Sequence, residues 1–281
     1  MTNCPRVLVR SALSRSGLPD LDYSLNPYIG CQHGCLYCYA REYTRHRDVV
    51  EKWGSLVLVK ENLIELLNRE TRKLKPGVVG ISTITDPYQP AELTERLARE
   101  SMRILLKRGF KVSIQTKSPL VLRDLDLLTS SREVVDVGFT IITADSSISS
   151  LLEPGAPHPA QRAEALHKIS EAGLDVWLFY GPVIPGLNDG VESFREVVEL
   201  ASGCVKLVFL DKLRITPRVR ESLSSAVDDF ERIQSLVRNS VWWSRVVKLF
   251  SDVCARFGIK CIASIAEPTT QAGNLRDFHS E

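Results

Sequence analysis

The sequence predicts an α/β protein, a partial parallel TIM barrel of the (β/α)6 type. Three observations point there. Short β-branched runs alternate with amphipathic stretches of helical spacing from residue 63 onward, a pattern of parallel sheets with right-handed crossovers. Gly109, Gly173, Gly203 and Gly258 each close a helical stretch just before the next apolar run, as glycine does at helix C-termini. The rhythm gives about six or seven units, and 281 residues suffice for one such barrel.

The elements follow in order. Residues 1–24 are mixed and polar and read as an extended lead-in, an N-terminal extension in which Cys4 is a small hydrophobe. Residues 25–281 read as one core domain ending in a helix and a strand, with no repeat, linker or low-complexity tract. A strand is expected near residue 25. Leu63, Ile64, Leu66, Leu67 and Leu74 space a helix ended by Pro76-Gly77, and Val78 to Ile84 is a buried strand. A helix marked by Leu93, Leu97, Met102, Ile104 and Leu105 leads to a strand over Phe110 to Gln115. A short helix from Pro119 to Leu128 precedes a strand over Val134 to Ile142. Helices over Pro159 to Ala172 and Val191 to Ala201 precede strands over Leu174 to Tyr180 and Val205 to Leu210. One long amphipathic stretch, Val227 to Phe257, leads to a last strand over Ile259 to Ile265.

Composition narrows the function classes. A hydrophobic share of 44% and a charged share of 25% suit a globular chain with a real core. A net charge of +2 makes no strong electrostatic case for nucleic acid or membrane. No apolar run approaches the ~18 residues that span a bilayer, and the first residues carry no signal-like apolar region; a cytoplasmic protein without membrane contact is expected. Of seven cysteines three are bunched and four scattered, unlike a secreted disulfide framework.

The bunched cysteines carry the chemistry. Cys31, Cys35 and Cys38 stand at spacings of four and three in a loop where Gly30 and Gly34 let the backbone fold tightly. Thiolates select zinc, copper(I) or iron–sulfur clusters. Structural zinc takes four protein ligands, whereas three cysteines leave one metal position open. His33 is a candidate fourth ligand, but the tight loop gives it poor reach.

This spacing, with Tyr37 and Tyr39 beside the third cysteine, resembles the cluster loop of the radical S-adenosylmethionine (radical SAM) enzymes. The resemblance implies a 4Fe-4S cluster on the three cysteines, S-adenosyl-L-methionine on the fourth iron, and an external one-electron reductant of flavodoxin or ferredoxin type. Reductive cleavage of the sulfonium then yields a 5′-deoxyadenosyl radical that abstracts hydrogen from a substrate. The alternative reading is an iron–sulfur or zinc protein with a closed structural site, serving binding or electron transfer.

Working residues of such barrels sit at the C-terminal ends of strands. There the sequence offers Ser82-Thr83-Ile84-Thr85-Asp86-Pro87, Gln115-Thr116-Lys117-Ser118, Thr140 with Thr143 and Asp145, and Tyr180-Gly181-Pro182 to Asp189. Each has a plain structural reading: a turn at Asp86, a solvated lysine, β-branched packing, and Pro-Gly turn formation. Together with the cysteine loop they resemble the spore photoproduct lyase-like branch, often labelled DNA repair photolyase, over residues 24–210. That resemblance implies Tyr37 by the adenine and Tyr39 near cofactor or substrate. It implies cofactor contacts at Thr85, Lys117 and Thr140, and an adenine motif over Ile184, Gly186 and Asp189. In one departure Thr83 stands where that branch has its hydrogen-donor cysteine. An O–H bond is too strong to replace a thiol in that step. Cys204, Cys254 and Cys261 read as structural.

Two basic groups, Arg41 with Arg45, His46 and Arg47, and Arg214 with Arg218 and Arg220, read as solvated surface or phosphate contacts. Trp242 and Trp243 read as core and rim. Nucleic acid, a tRNA base, a peptide and a small metabolite stay open as substrates, and the resemblance alone tilts toward nucleic acid.

Overall fold

The computed structural model describes residues 4–18 and 20–264. Its strands are β1 (Arg6–Val7), β2 (Leu13–Arg15), β3 (Tyr23–Leu25), β4 (Tyr28–Ile29), β5 (Leu58–Lys60) and β6 (Val78–Ile81). They continue as β7 (Lys111–Thr116), β8 (Val135–Thr140), β9 (Asp175–Val183), β10 (Leu207–Lys212) and β11 (Lys260–Ala263). The main sheet has eight strands in the order β11-β10-β9-β8-β7-β6-β3-β2. Within this sheet every pairing is parallel except that of β2, which runs antiparallel on β3. The order is open, with β2 and β11 as its two edges, which makes the barrel partial as expected.

The parallel strands are apolar because helices cover one face and the core fills the other. Val79, Ile81, Val112, Ile114, Val137, Phe139, Leu178 and Val208 are all buried in one continuous core. A smaller apolar cluster sits beyond the strand ends and joins Cys35 and Tyr37 to Ile142, Leu152, Ile184 and Leu213. The cysteine loop thus rests on packed side chains. No described helix is long and apolar enough to cross a membrane.

Several expectations are corrected. The lead-in is built into the sheets: β1 pairs with β5 in a small three-stranded sheet, β2 forms an edge of the main sheet, and β3 straddles residues 24 and 25. These strands are too short for a period-2 pattern to be visible. The helix expected from Leu93 onward divides into Glu92–Glu95 and Leu97–Lys107 at Arg96, which takes a left-handed backbone with φ 53°. The long C-terminal stretch divides into Phe230–Arg238 and Ser240–Arg256. Asn239 makes that break with an extended backbone, and its side chain accepts from the N–H groups of Val241 and Trp242, starting a new helix. Apolar periodicity runs through the break although the first helix buries Phe230, Ile233 and Val237 in the smaller cluster and the second buries Trp242, Val246 and Phe250 in the main core. Cys254 and Cys261, read as structural, are joined to each other in a disulfide across the last helix and β11. Of the last predicted strand, Lys260–Ala263 is observed, and Ile265 lies outside the described residues.

Asn239→Ala removes this cap. The expected outcome is a loss of about 1 kcal/mol in chemical denaturation, with the fold intact by circular dichroism.

Candidate active site

The C-terminal ends of β6 to β10 and the loop 31–40 enclose a cavity of about 160 Å³. Cys31, Cys35 and Cys38 all border it. Ser82 to Asp86 after β6, Gln115 to Lys117 at β7 and Thr140 at β8 form its floor and near side. Phe179, Gly181 and Pro182 of β9, with Asp211, Lys212 and Arg214 from β10, form the far wall. This is the end of a parallel sheet at which ligands bind.

The cysteine loop has little regular structure, so its backbone groups need partners from elsewhere. Three neighbours supply them. From the β6 side, Thr85 Oγ1 donates to Gly30 O at 2.5 Å, Gln89 Nε2 donates to Thr85 Oγ1 at 2.9 Å, and Gln89 Oε1 accepts from Gln32 N at 2.8 Å. From the segment after β8, Leu152 O accepts from Leu36 N at 2.9 Å, and Gly155 N donates to His33 O at 2.9 Å. On the third side Gly34 (φ 61°) lies against Gly54 (φ 88°); a Cβ on Gly54 would meet Gly34 Cα at 3.0 Å. The two chains touch backbone to backbone, which only glycine permits here.

Asp86 is the hub of the near side. It accepts from Thr116 Oγ1 at 2.7 Å, Lys117 N at 2.8 Å and Tyr88 N at 2.9 Å, and lies 3.4 Å from His33 Nδ1. Burial pushes its carboxyl up, but the His33 ring, the Thr116 hydroxyl and the Lys117 N–H together outweigh burial and hold it at about 2. His33 is thus committed to Asp86.

Below the cavity lies a fully buried ion pair, Arg162 Nη1 to Glu153 Oε2 at 2.6 Å. Glu153 also accepts from the Tyr37 hydroxyl and lies 3.8 Å from Lys117 Nζ. Arg162 donates further to Thr140 O at 3.1 Å and Pro157 O at 2.7 Å. Burial would raise the Glu153 carboxyl, but Arg162 and Lys117 outweigh it and hold it below the usual range. Burial would lower Lys117, but Cys35 and Glu153 outweigh it and raise it.

The structure brings most of the predicted residues together. Tyr37, Tyr39, Thr85, Lys117 and Thr140 all border the cavity with the three cysteines. Their side chains already have work in the protein: Tyr37 and Lys117 on Glu153, Thr85 on Gly30, and Thr140 accepting from Gln115 Nε2 at 3.0 Å. Tyr39 lies under Arg214, 5.4 Å from ring centre to guanidinium carbon. Ile184 and Gly186 stand outside the wall. Ile184 is buried in the small cluster with Cys35 and Tyr37, and Gly186 is an exposed turn residue whose N–H donates to Asp189 at 2.7 Å. Asp189 also accepts from Trp242 Nε1. Thr143 and Asp145 form a turn and helix cap. Arg41 is spent on Ser222 and Val50 O. Thr83 borders the cavity, while Cys4 and Cys204 do not.

Sequence reasoning missed Glu153, Arg162, Trp53, Phe179, Asp211 and Lys212. None belongs to a local motif, and they meet only through long-range packing. Ser82, already offered by the sequence at a strand end, adds a signal visible only in three dimensions, as a non-glycine residue at φ 70°.

The wall fits a thiolate-bound cluster with a bound ligand. Burial pushes the Cys35 thiol to about 12, Cys31 well above the usual range, and Cys38 upward. Such thiols ionise when a metal coordinates them. Among the described residues no three Cys, His, Asp or Glu side chains meet at single-ion distances; the three sulfurs instead border one shared volume. Two wall residues, Ser82 and Trp53, carry a buried polar atom (Oγ and Nε1) with no partner among the described residues, the mark of a surface made for a ligand.

An α/β fold with three thiols at the open end of a parallel sheet defines a class of cluster-dependent enzymes. The family model of the radical SAM superfamily matches residues 25–201, and the chain belongs to that superfamily, whose enzymes use a 4Fe-4S cluster and S-adenosylmethionine. An uncharacterised protein of Methanocaldococcus jannaschii is 36% identical over 184 residues, 66% of this chain and 69% of that one. Another, from Acidianus two-tailed virus, is 35% identical over 189 residues, 63% of this chain and 61% of that one. In fold the chain is similar to spore photoproduct lyase complexed with dinucleoside spore photoproduct, with a TM-score of 0.71 at 16% identity, covering 92% of this chain and 82% of that one. It is similar in fold also to a radical SAM methyltransferase from Sphaerobacter thermophilus, with a TM-score of 0.57 at 17% identity, covering 89% of this chain and 67% of that one.

Asp86 gives a pH prediction. Its folded value lies below the ordinary 3.8, so the folded state holds the proton more weakly than the unfolded chain. The stabilisation is complete above about pH 4, falls through the window from about 4 to 2, and is gone below it. Asp86→Asn should cost about 2 kcal/mol at pH 7 and flatten the acid limb of stability against pH in that window. An unchanged acid limb in urea titrations would remove Asp86 from this role.

Proposed function

We propose that Cys31, Cys35 and Cys38 hold a 4Fe-4S cluster in this cavity, and that S-adenosylmethionine binds beside it against Ser82 to Thr85, Lys117 and Thr140. The observation that carries the reading is the meeting of the three cysteines with the ends of β6, β7 and β8 around one cavity. When bound, the pair supplies a 5′-deoxyadenosyl radical after reduction by a flavodoxin- or ferredoxin-type donor. The chain's own residues orient and exclude. Lys117 stays charged beside Glu153 and offers a point charge to a carboxylate at the cavity edge. Tyr37, anchored by its hydroxyl on Glu153, turns a ring to the wall where a flat base stacks. Ile184 supports Cys35 and Tyr37 from behind, and Gly186 shapes the turn that follows.

The substrate meets the far wall. Phe179 offers an apolar ring, Lys212 and Arg214 offer cations, and Asp211 offers a carboxylate already bonded to Ser264 Oγ at 2.5 Å. A ring beside cations suits a nucleotide or nucleic acid, and the similarity to spore photoproduct lyase favours the same class.

Anaerobic reconstitution with iron and sulfide should load about four of each per chain. Dithionite reduction with S-adenosylmethionine should then release 5′-deoxyadenosine. Changing any one of Cys31, Cys35 or Cys38 to Ala should abolish both, and Cys4→Ala should change neither. A loaded protein that binds S-adenosylmethionine but never cleaves it would count against the reading.

A further inference from the structure

Resting on the cluster site proposed above, we infer that the Trp53 indole donates a hydrogen bond to a sulfur of that cluster and so sets how readily the cluster is reduced. The chain has four tryptophans. Trp177 Nε1 donates to Asp136 at 2.8 Å and Trp242 Nε1 donates to Asp189 at 2.8 Å. Trp53 borders the cavity, and its Nε1 is buried and donates to no partner among the described residues. An indole N–H is a donor only, and a buried donor without an acceptor is rare in folded chains. Trp53 is therefore built for an acceptor that enters the cavity.

Its position says which. Trp53 sits in a turn closed by Ser55 N donating to Lys52 O at 3.0 Å and Leu56 N donating to the same oxygen at 2.9 Å. The next residue, Gly54, lies directly against Gly34, which precedes Cys35. The turn that carries the indole thus abuts the loop that carries the thiols, and a side chain at either glycine would force them apart. Lys117 is engaged on Glu153 and His33 on Asp86, while Ser82 Oγ and Arg162 Nη2 also have no partner among the described residues. With the cluster of the proposed site bound on the three thiols, its sulfurs would be the anionic acceptors this turn is placed to meet. A hydrogen bond to them favours the reduced cluster, which carries the extra negative charge.

Trp53→Phe keeps the ring and deletes the N–H. Both proteins are loaded with cluster, and the midpoint is followed by electron paramagnetic resonance without S-adenosylmethionine. The expected result is about a tenfold fall in the reduction equilibrium constant, a midpoint about 59 mV more negative for one electron, with S-adenosylmethionine affinity unchanged. An unchanged midpoint in a fully loaded variant overturns the inference. So does an unchanged midpoint with weakened S-adenosylmethionine binding, which assigns the N–H to that ligand instead. Should the variant fail to load, wild-type protein with indole-15N tryptophan is read by pulsed resonance of the reduced cluster. A 15N coupling supports the inference, and its absence overturns it. A wild-type chain that takes up no cluster defeats the site reading itself, an outcome distinct from a loaded cluster indifferent to residue 53.

Discussion

The cavity depends on one buried ion pair, Glu153 with Arg162. Both side chains are wholly removed from solvent, and two charges taken out of water are costly unless their remaining hydrogen-bonding capacity is used. Most of it is used. Glu153 receives the Tyr37 hydroxyl and the field of Lys117, and Arg162 grips Thr140 O and Pro157 O. Meeting those demands fixes four chain segments at once: the cysteine loop through Tyr37, the end of β7 through Lys117, the end of β8 through Thr140, and the segment between β8 and the helix Pro159–Glu171. A hydrophobic pair of the same volume would fill the space without setting these positions. The charges thus specify geometry more than they add stability.

The cysteine loop is then held as a rigid insert. Its oxygens and N–H groups are taken by Thr85, Gln89, Leu152 and Gly155, and Gly34 meets Gly54 with no side chain between them. Asp86 repeats the device one layer away, since a carboxylate with three donors and a neighbouring imidazole has little freedom to turn. Rigidity here matters for function because soft ligands must meet their metal at fixed positions, and supporting contacts orient them.

The fold was legible where local chemistry repeats. β-branched runs and helix-ending glycines report β6 to β10 and the helices between them, because each depends on its own side chains. The cysteines and most of the cavity wall were legible for a similar reason: spacing in a tight loop and position at strand ends are both local. The rest depends on residues far apart in the chain. Glu153 and Arg162 look like ordinary members of a loop and a helix until the fold buries them together. Trp53 has no neighbours that mark it. Asn239 hides inside a continuous apolar rhythm. Thr85 and Lys117 were read as ligand contacts, and the structure adds that each first serves the protein, Thr85 by holding Gly30 and Lys117 by balancing Glu153. Their ligand-facing roles therefore follow from where the protein's own needs leave them.

The same reasoning bears on how a hydrogen atom would return to a substrate. Apart from the three loop thiols, no cysteine among the described residues borders the cavity: Cys204 donates to Ala201 O at 3.0 Å, Cys254 and Cys261 are joined to each other, and Cys4 packs on the core. At the position nearest the expected donor stands Thr83, whose hydroxyl accepts from Asn26 Nδ2 at 3.4 Å. An alcohol O–H is stronger than the C–H bond it would have to form, so Thr83 is a poor source of a hydrogen atom, whereas a thiol S–H is weaker and a good one. Under the function proposed above, an alcohol at this position leaves the hydrogen to be returned by the deoxyadenosine or supplied by the substrate.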